Sequence, residues 1–247
     1  MAAVNLDRST TTGTAVITID RPDRRNAVDT DACHRIAEAV WTAYDDGRGA
    51  RAIVLAGNGP HFCAGADLKA MEDATFATHL RAALDALREV PVCTIAAVQG
   101  AALGAGMQLA VACDLRVVAA DARFGIPAAK LGLMVDHWTV QRVATLAGSG
   151  PARAVLLACE EIAAADALTL GLASRQGDLD AALAWATRIA ELAPLTIAGH
   201  KLALNRLEPL ADDADVRAAF TQAWSSADLR EGRAAFAEKR PPRFEGR

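Results

Sequence analysis

Apolar positions along the chain follow two different periods. Ala15-Val16-Ile17-Thr18-Ile19 is β-branched and is halted by Asp20-Arg21-Pro22-Asp23, which predicts a strand and a turn. Asp29 or Thr30 can cap a helix running through Ile36, Val40 and Trp41 to a stop near Gly47. Arg51 to Ala56 is a continuous apolar run, the mark of a strand buried on both faces. A polar helical stretch from Phe76 to Arg88 is followed by a strand from Val92 to Val98, a helix from Ala105 to Ala112 and a strand from Leu115 to Ala119. Strands alternating with helices predict an α/β core with a largely parallel sheet. From Val135 onward the helical period takes over, in segments Trp138 to Leu146, Pro151 to Cys159, Ala163 to Leu170 and Leu179 to Leu192. Pro194 opens a last helical section reaching Lys239 and closed by Pro241-Pro242. Residues 1–193 are thus expected to form a core. Residues 194–247 form a helical appendage, rich in Ala and Leu with charges on one side, suited to packing or oligomerisation.

Length and charge narrow the function. A chain of 247 residues can bury a large core, and its 26 Lys and Arg against 30 Asp and Glu argue against a nucleic-acid-binding surface. A local basic site for a phosphorylated ligand is still allowed. Cys33, Cys63, Cys93, Cys113 and Cys159 are widely spaced in apolar contexts without metal-ligand spacing, which reads as reduced core thiols in a cytoplasmic protein. The N-terminus lacks a basic region followed by an apolar one, so no signal peptide is expected. The longest apolar run, Val92 to Cys113, would suffice for a membrane span. Gln99, Gln108 and three glycines interrupt it, and a buried strand, turn and helix explain it better.

Candidate chemistry lies in two Gly/Ala turns, Phe62-Cys63-Ala64-Gly65-Ala66-Asp67-Leu68 and Gly100-Ala101-Ala102-Leu103-Gly104-Ala105-Gly106. Each follows a β-rich run and leads into helix-forming sequence, so each can present backbone N–H groups at a helix start. Two such donors on one point make an oxyanion hole. Either turn alone is ordinary; the pair is far more specific. The second turn reads G-x-x-x-G-x-G, which fits neither the dinucleotide nor the P-loop pattern, so no nucleotide cofactor is expected. Arg21, Arg24 and Arg25 cluster after the first strand, as a solvated basic turn or as a phosphate site. No His pair has helical ligand spacing, so no metal is expected, and Ser149 and Ser174 lack a nucleophile elbow. Asp136-His137-Trp138 leaves two accounts open, a buried tuned carboxylate or a helix N-cap.

Together these segments resemble the enoyl-CoA hydratase/isomerase (crotonase) superfamily over the whole chain. The resemblance is carried by Arg21-Pro22 with Asn26-Ala27, Phe62 to Lys69, Gly100 to Asp114, Phe124-Gly125-Ile126-Pro127 and Phe236 to Arg240. It implies a crotonase fold of repeated ββα units in two stacked sheets, with a C-terminal helical region that drives homotrimers or dimers of trimers. The implied ligand is an acyl-CoA thioester, with no cofactor beyond its coenzyme A. On the family pattern the oxyanion donors are the N–H groups of Ala66 and Ala105. Ala27, Ala64, Ala66, Asp67 and Leu68 fall in the coenzyme A site, the last two and Ala64 at the adenine, with Arg24 and Lys69 near the phosphates. Phe236 and Lys239 fall where a neighbouring subunit's tail meets the adenosine end.

Departures from the family pattern decide the expected activity. The two catalytic glutamates of family hydratases correspond here to Gln108 and Ala128. A glutamine is no useful base near neutral pH and an alanine offers nothing. Loss of one positioned acid–base group costs about 10²- to 10⁴-fold. Asp136 falls where dienoyl-CoA isomerases and aryl-CoA dehalogenases of the family place a catalytic aspartate, which keeps an isomerase or hydrolase reading open. The chain looks most like a mycobacterial branch of non-hydrating homologues that bind long acyl-CoA in lipid metabolism.

Overall fold

In a computed structural model the described residues are 3–9, 11–45, 49–67, 73–207 and 214–245, with 215 and 216 by backbone alone. The strands are β1 (Val4–Ser9), β2 (Thr14–Ile19), β3 (Ala52–Gly57), β4 (Cys93–Val98), β5 (Ala101–Leu103), β6 (Leu115–Val118), β7 (Arg123–Gly125), β8 (Ile162–Ala163) and β9 (Arg175–Gln176). The helices of the core are α1 (Thr30–Tyr44), α2 (Phe76–Glu89), α3 (Ala105–Ala112), α4 (His137–Ala147), α5 (Ser149–Leu157), α6 (Ala164–Leu170) and α7 (Leu179–Ala190). They are followed by α8 (Pro194–Leu207), α9 (Ala214–Ser225) and α10 (Ala227–Ala237).

Among the described residues one sheet has six strands in the order β1-β2-β3-β4-β6-β9 and another has three in the order β5-β7-β8. β1 is antiparallel to β2, and the rest of the larger sheet is parallel, as the alternation of strands and helices predicts. The continuous apolar runs have their expected cause. Ile53 and Leu55 of β3 pack with α1 and α2, while Ala52, Val54 and Ala56 pack with Ala182 and Ala186 of α7. Both faces are therefore covered. The run from Val92 to Cys113 divides into β4, β5 and α3, and no helix among the described residues is long and apolar enough to cross a membrane.

Local chemistry sets the ends of the elements. Asp29, not Thr30, caps α1 by accepting from Ala32 N–H at 2.9 Å, a contact worth about 1 kcal/mol. α1 stops at Tyr44, with Asp45 left-handed after it; the stop expected near Gly47 lies outside the described residues. Among the described residues the helical section expected from Pro194 to Lys239 is three helices, which pack back on the core. Lys201 of α8 is buried and donates to Leu87 O and Val92 O at 3.0 Å each and to Asp114 Oδ2 at 2.7 Å. α10 docks where side chains are absent. A Cβ on Gly132 would lie 2.6 Å from Asp228 O, and one on Gly232 would lie 2.5 Å from Leu131 O.

Candidate functional site

The two Gly/Ala turns are stitched together by backbone. Cys63 N–H donates to Ala101 O at 2.9 Å and Leu103 N–H to Cys63 O at 3.0 Å, a parallel bridge between the turns. Glycine is required at the contact, since a Cβ on Gly106 would stand 2.0 Å from Cys63 O. Asn26, fully buried, fixes the arginine-bearing loop to the first turn by donating to Asn58 O at 2.8 Å and His61 O at 2.7 Å. His61 Nδ1 in turn accepts from Ala101 N–H at 3.3 Å.

Ala105 is the first residue of α3, so its N–H has no intrahelical acceptor. Ala66 reaches the same state differently, which corrects the expectation of two helix starts. It lies in a parallel bridge with Val28, where Val28 N–H donates to Gly65 O at 2.9 Å and Asp67 N–H to Val28 O at 2.7 Å. Extended backbone alternates its sides, so the N–H of Ala66 turns away from Val28. Neither N–H has an acceptor among the described residues.

Both alanines line one cavity of about 400 Å³. One wall is Ala64, Gly65, Ala66, Gly104, Ala105 and Gln108; the facing side brings Phe76, Leu80 and Leu84 of α2, and Phe220, Trp224 and Phe236 of α9 and α10. Ala128, on the 3-10 turn Pro127–Leu131, presents only a methyl group there. Gln108 is buried, and its Nε2 donates to Thr139 Oγ1 at 2.8 Å. Asp136 is the one carboxylate among the described lining residues.

The two accounts of Asp136 meet in one side chain. It caps α4, Oδ1 accepting from Thr139 N–H at 2.9 Å, and it also faces the cavity, Oδ2 accepting from Arg81 Nη1 at 3.3 Å. Arg81 also grips Asp85 and lies over the Trp138 ring, 4.7 Å from its centroid. Burial works against the Arg81 charge, but Asp85 and then Asp136 outweigh it and raise its pKa. Sequence reading missed Arg81 and Thr139. Arg81 looks like one more charge on a polar helix, and Thr139 touches Gln108 across thirty-one residues.

Of the coenzyme A candidates, Ala64 and Ala66 reach the cavity wall. Asp67 binds Arg21 Nη2 at 3.2 Å and also Arg24 Nη1. Ala27 lies beneath, its carbonyl accepting from Arg21. Arg24 is thereby engaged, while the next residue, Arg25, left-handed and exposed, lines the cavity without an ion pair among the described residues. Leu68 and Lys69 lie outside the described residues. Phe236 lines the cavity of its own chain. Lys239, left-handed after α10, donates its N–H to Phe236 O at 3.2 Å and does not line the cavity. The thiols of Cys63, Cys93 and Cys113 are pushed by burial to about 12, which fits inert core residues. Among the described residues no cluster of His, Cys, Asp or Glu could hold a metal.

A two-sheet α/β core thus holds the backbone of Ala66 and Ala105 at the wall of one largely apolar cavity. Residues 9–247 match the family described as enoyl-CoA hydratase/isomerase, and the chain belongs to it. A probable enoyl-CoA hydratase, echA6, of Mycobacterium tuberculosis is 44% identical over 94% of this chain and 96% of its own. Among solved structures, carnitinyl-CoA hydratase from Mycobacterium avium is 35% identical over the full length of both chains, with a TM-score of 0.84. Methylmalonyl CoA decarboxylase is 25% identical over 99% of this chain and 98% of its own, with a TM-score of 0.88.

Proposed function

We propose that this protein binds acyl-CoA thioesters, polarises their carbonyl with the N–H groups of Ala66 and Ala105, and hydrates enoyl-CoA poorly. The observation that carries this reading is the state of Gln108. Its amide nitrogen donates to Thr139, and Ala128 across the wall adds no acid or base. The acyl chain occupies the apolar side between α2 and the α9–α10 pair, a setting suited to long chains of lipid metabolism. Coenzyme A leaves past Arg25, whose guanidinium has no ion pair among the described residues and so supports the phosphates better than that of Arg24. No cofactor beyond the coenzyme A is needed. The exposed leucines of α8 support a homotrimer or dimer of trimers, and the thiols support a cytoplasmic location.

Titration with acyl-CoAs of increasing length, beside a crotonyl-CoA hydration assay, tests the proposal. Micromolar or tighter binding with hydration far below the usual enzymic range of about 1–10³ per second is expected. Turnover within that range overturns it and restores the hydratase reading. A second reading, an isomerase or hydrolase acting through Asp136, is favoured by the exposure of that carboxylate to the cavity. Its test is Asp136→Asn on enoyl-, dienoyl- and aryl-CoA thioesters, and unchanged turnover removes Asp136 from the chemistry.

A further inference from the structure

The helix that carries Ala105 and Gln108 ends against two guanidinium groups from elsewhere in the fold. α3 has eight residues, no base in its last turn and no acid in its first. Its terminal carbonyls are satisfied from outside. Arg116 of β6 donates from Nη1 to Cys113 O at 2.8 Å and Ala110 O at 3.3 Å, and Arg142 of α4 donates from Nε to Val111 O at 2.9 Å. Arg116 is 2% exposed, and its other bonds run to Asp114 O at 3.3 Å and to Leu172 O, so every acceptor it meets among the described residues is a carbonyl. The nearby carboxylate of Asp114 is held by Lys201 and Thr94.

Holding these charges together is costly. Burial first, and then the Arg142 charge, push the Arg116 pKa down to about 10, which still leaves it cationic at neutral pH. Carbonyl satisfaction alone does not require this, since neutral donors would serve. What a cation adds is field. A helix places partial positive charge at its first N–H groups and partial negative charge at its last carbonyls. Cations on those carbonyls cancel the negative end, so the positive end at Ala105 acts unopposed, and their own potential adds to it. Helical rise puts them roughly 10 Å from Ala105, close enough to count in a low-dielectric interior.

Resting on the carbonyl site proposed above, we infer that Arg116 and Arg142 are positioning residues for that site. They fix α3 and raise the positive potential that its first N–H presents to a bound thioester oxygen. The probe is octanoyl-CoA carrying carbon-13 at its thioester carbonyl, read by difference infrared spectroscopy. Wild-type protein is expected to lower the carbonyl stretch on binding. Arg142→Gln keeps a donor for Val111 O but loses the charge. It is expected to return part of that shift and weaken binding about two- to five-fold, with little change in melting temperature. Arg142→Lys is expected to retain the wild-type shift. Folded Arg142→Gln with the full wild-type shift overturns the inference, and Arg116→Gln, read the same way, decides should the first variant not fold. Wild-type protein that binds the probe with an unshifted carbonyl sinks the carbonyl site itself, and this inference with it.

Discussion

Around Ala66 and Ala105 the cavity is walled by main chain; around α9 and α10 it is walled by aromatic side chains. On the first side glycines let strands and a helix touch, and Gly106, Met107 and Leu109 are buried. On the second side Phe236 is 57% exposed, and Trp224 holds the loop before Asp136 by one bond, Nε1 to Met134 O at 2.9 Å. On the proposed function each wall has its own task. Placing two N–H groups on one oxygen needs accuracy that only backbone packed against backbone supplies. Accepting an alkyl chain needs area, and side chains on helices at the rim supply it.

The largest effect that would break this contrast is at Gly106. Gly106→Val drives a side chain into Cys63 O, where even a Cβ has only 2.0 Å, and is expected to cost at least about 3 kcal/mol in urea unfolding. On the outer wall, Trp224→Ala is expected to weaken long acyl-CoA binding about ten-fold while the protein stays folded. If Trp224→Ala unfolds the protein as Gly106→Val does, the walls do not differ in kind. A smaller effect sharpens the contrast at the tail. Arg240 and then Arg243 N–H hold the Glu231 carboxyl at about 2, below its ordinary 4.5. The sign follows from that depression. The contact contributes above pH 4.5 and is lost as pH falls toward 2. Glu231→Gln is expected to remove that pH dependence, read as the melting temperature of the two proteins across the window, with a small difference because the pair is exposed.

Much of this molecule is legible in its sequence, for local reasons. The bounds of α3 are those its glycines and apolar run predict, and β3 and β4 follow from unbroken hydrophobicity. β1 went unread because its six residues alternate too weakly, being mostly exposed at a sheet edge. The expectation of a helix start at Ala66 rests on the helix-forming sequence that follows its turn, whereas its pairing with Val28 is non-local. Arg24 and Arg25 look alike as neighbours in a basic loop and differ only once the backbone turns. The left-handed Arg25 then faces the cavity while Arg24 meets Asp67.

By itself the chain determined which groups exist: glycine where Cβ would collide, glutamine and alanine at two points of the cavity wall, and apolar stretches long enough to build a parallel core. Tertiary structure decided which of those groups meet: Gln108 with Thr139, Arg81 with Asp136, Arg116 and Arg142 with the far end of α3, and the chain's own tail with its own cavity. Residue identity limits conformation through sterics within a few bonds, so it can be read along the chain. Partnership requires closing loops of tens of residues, and only the packed core selects among the many closures that local preference allows.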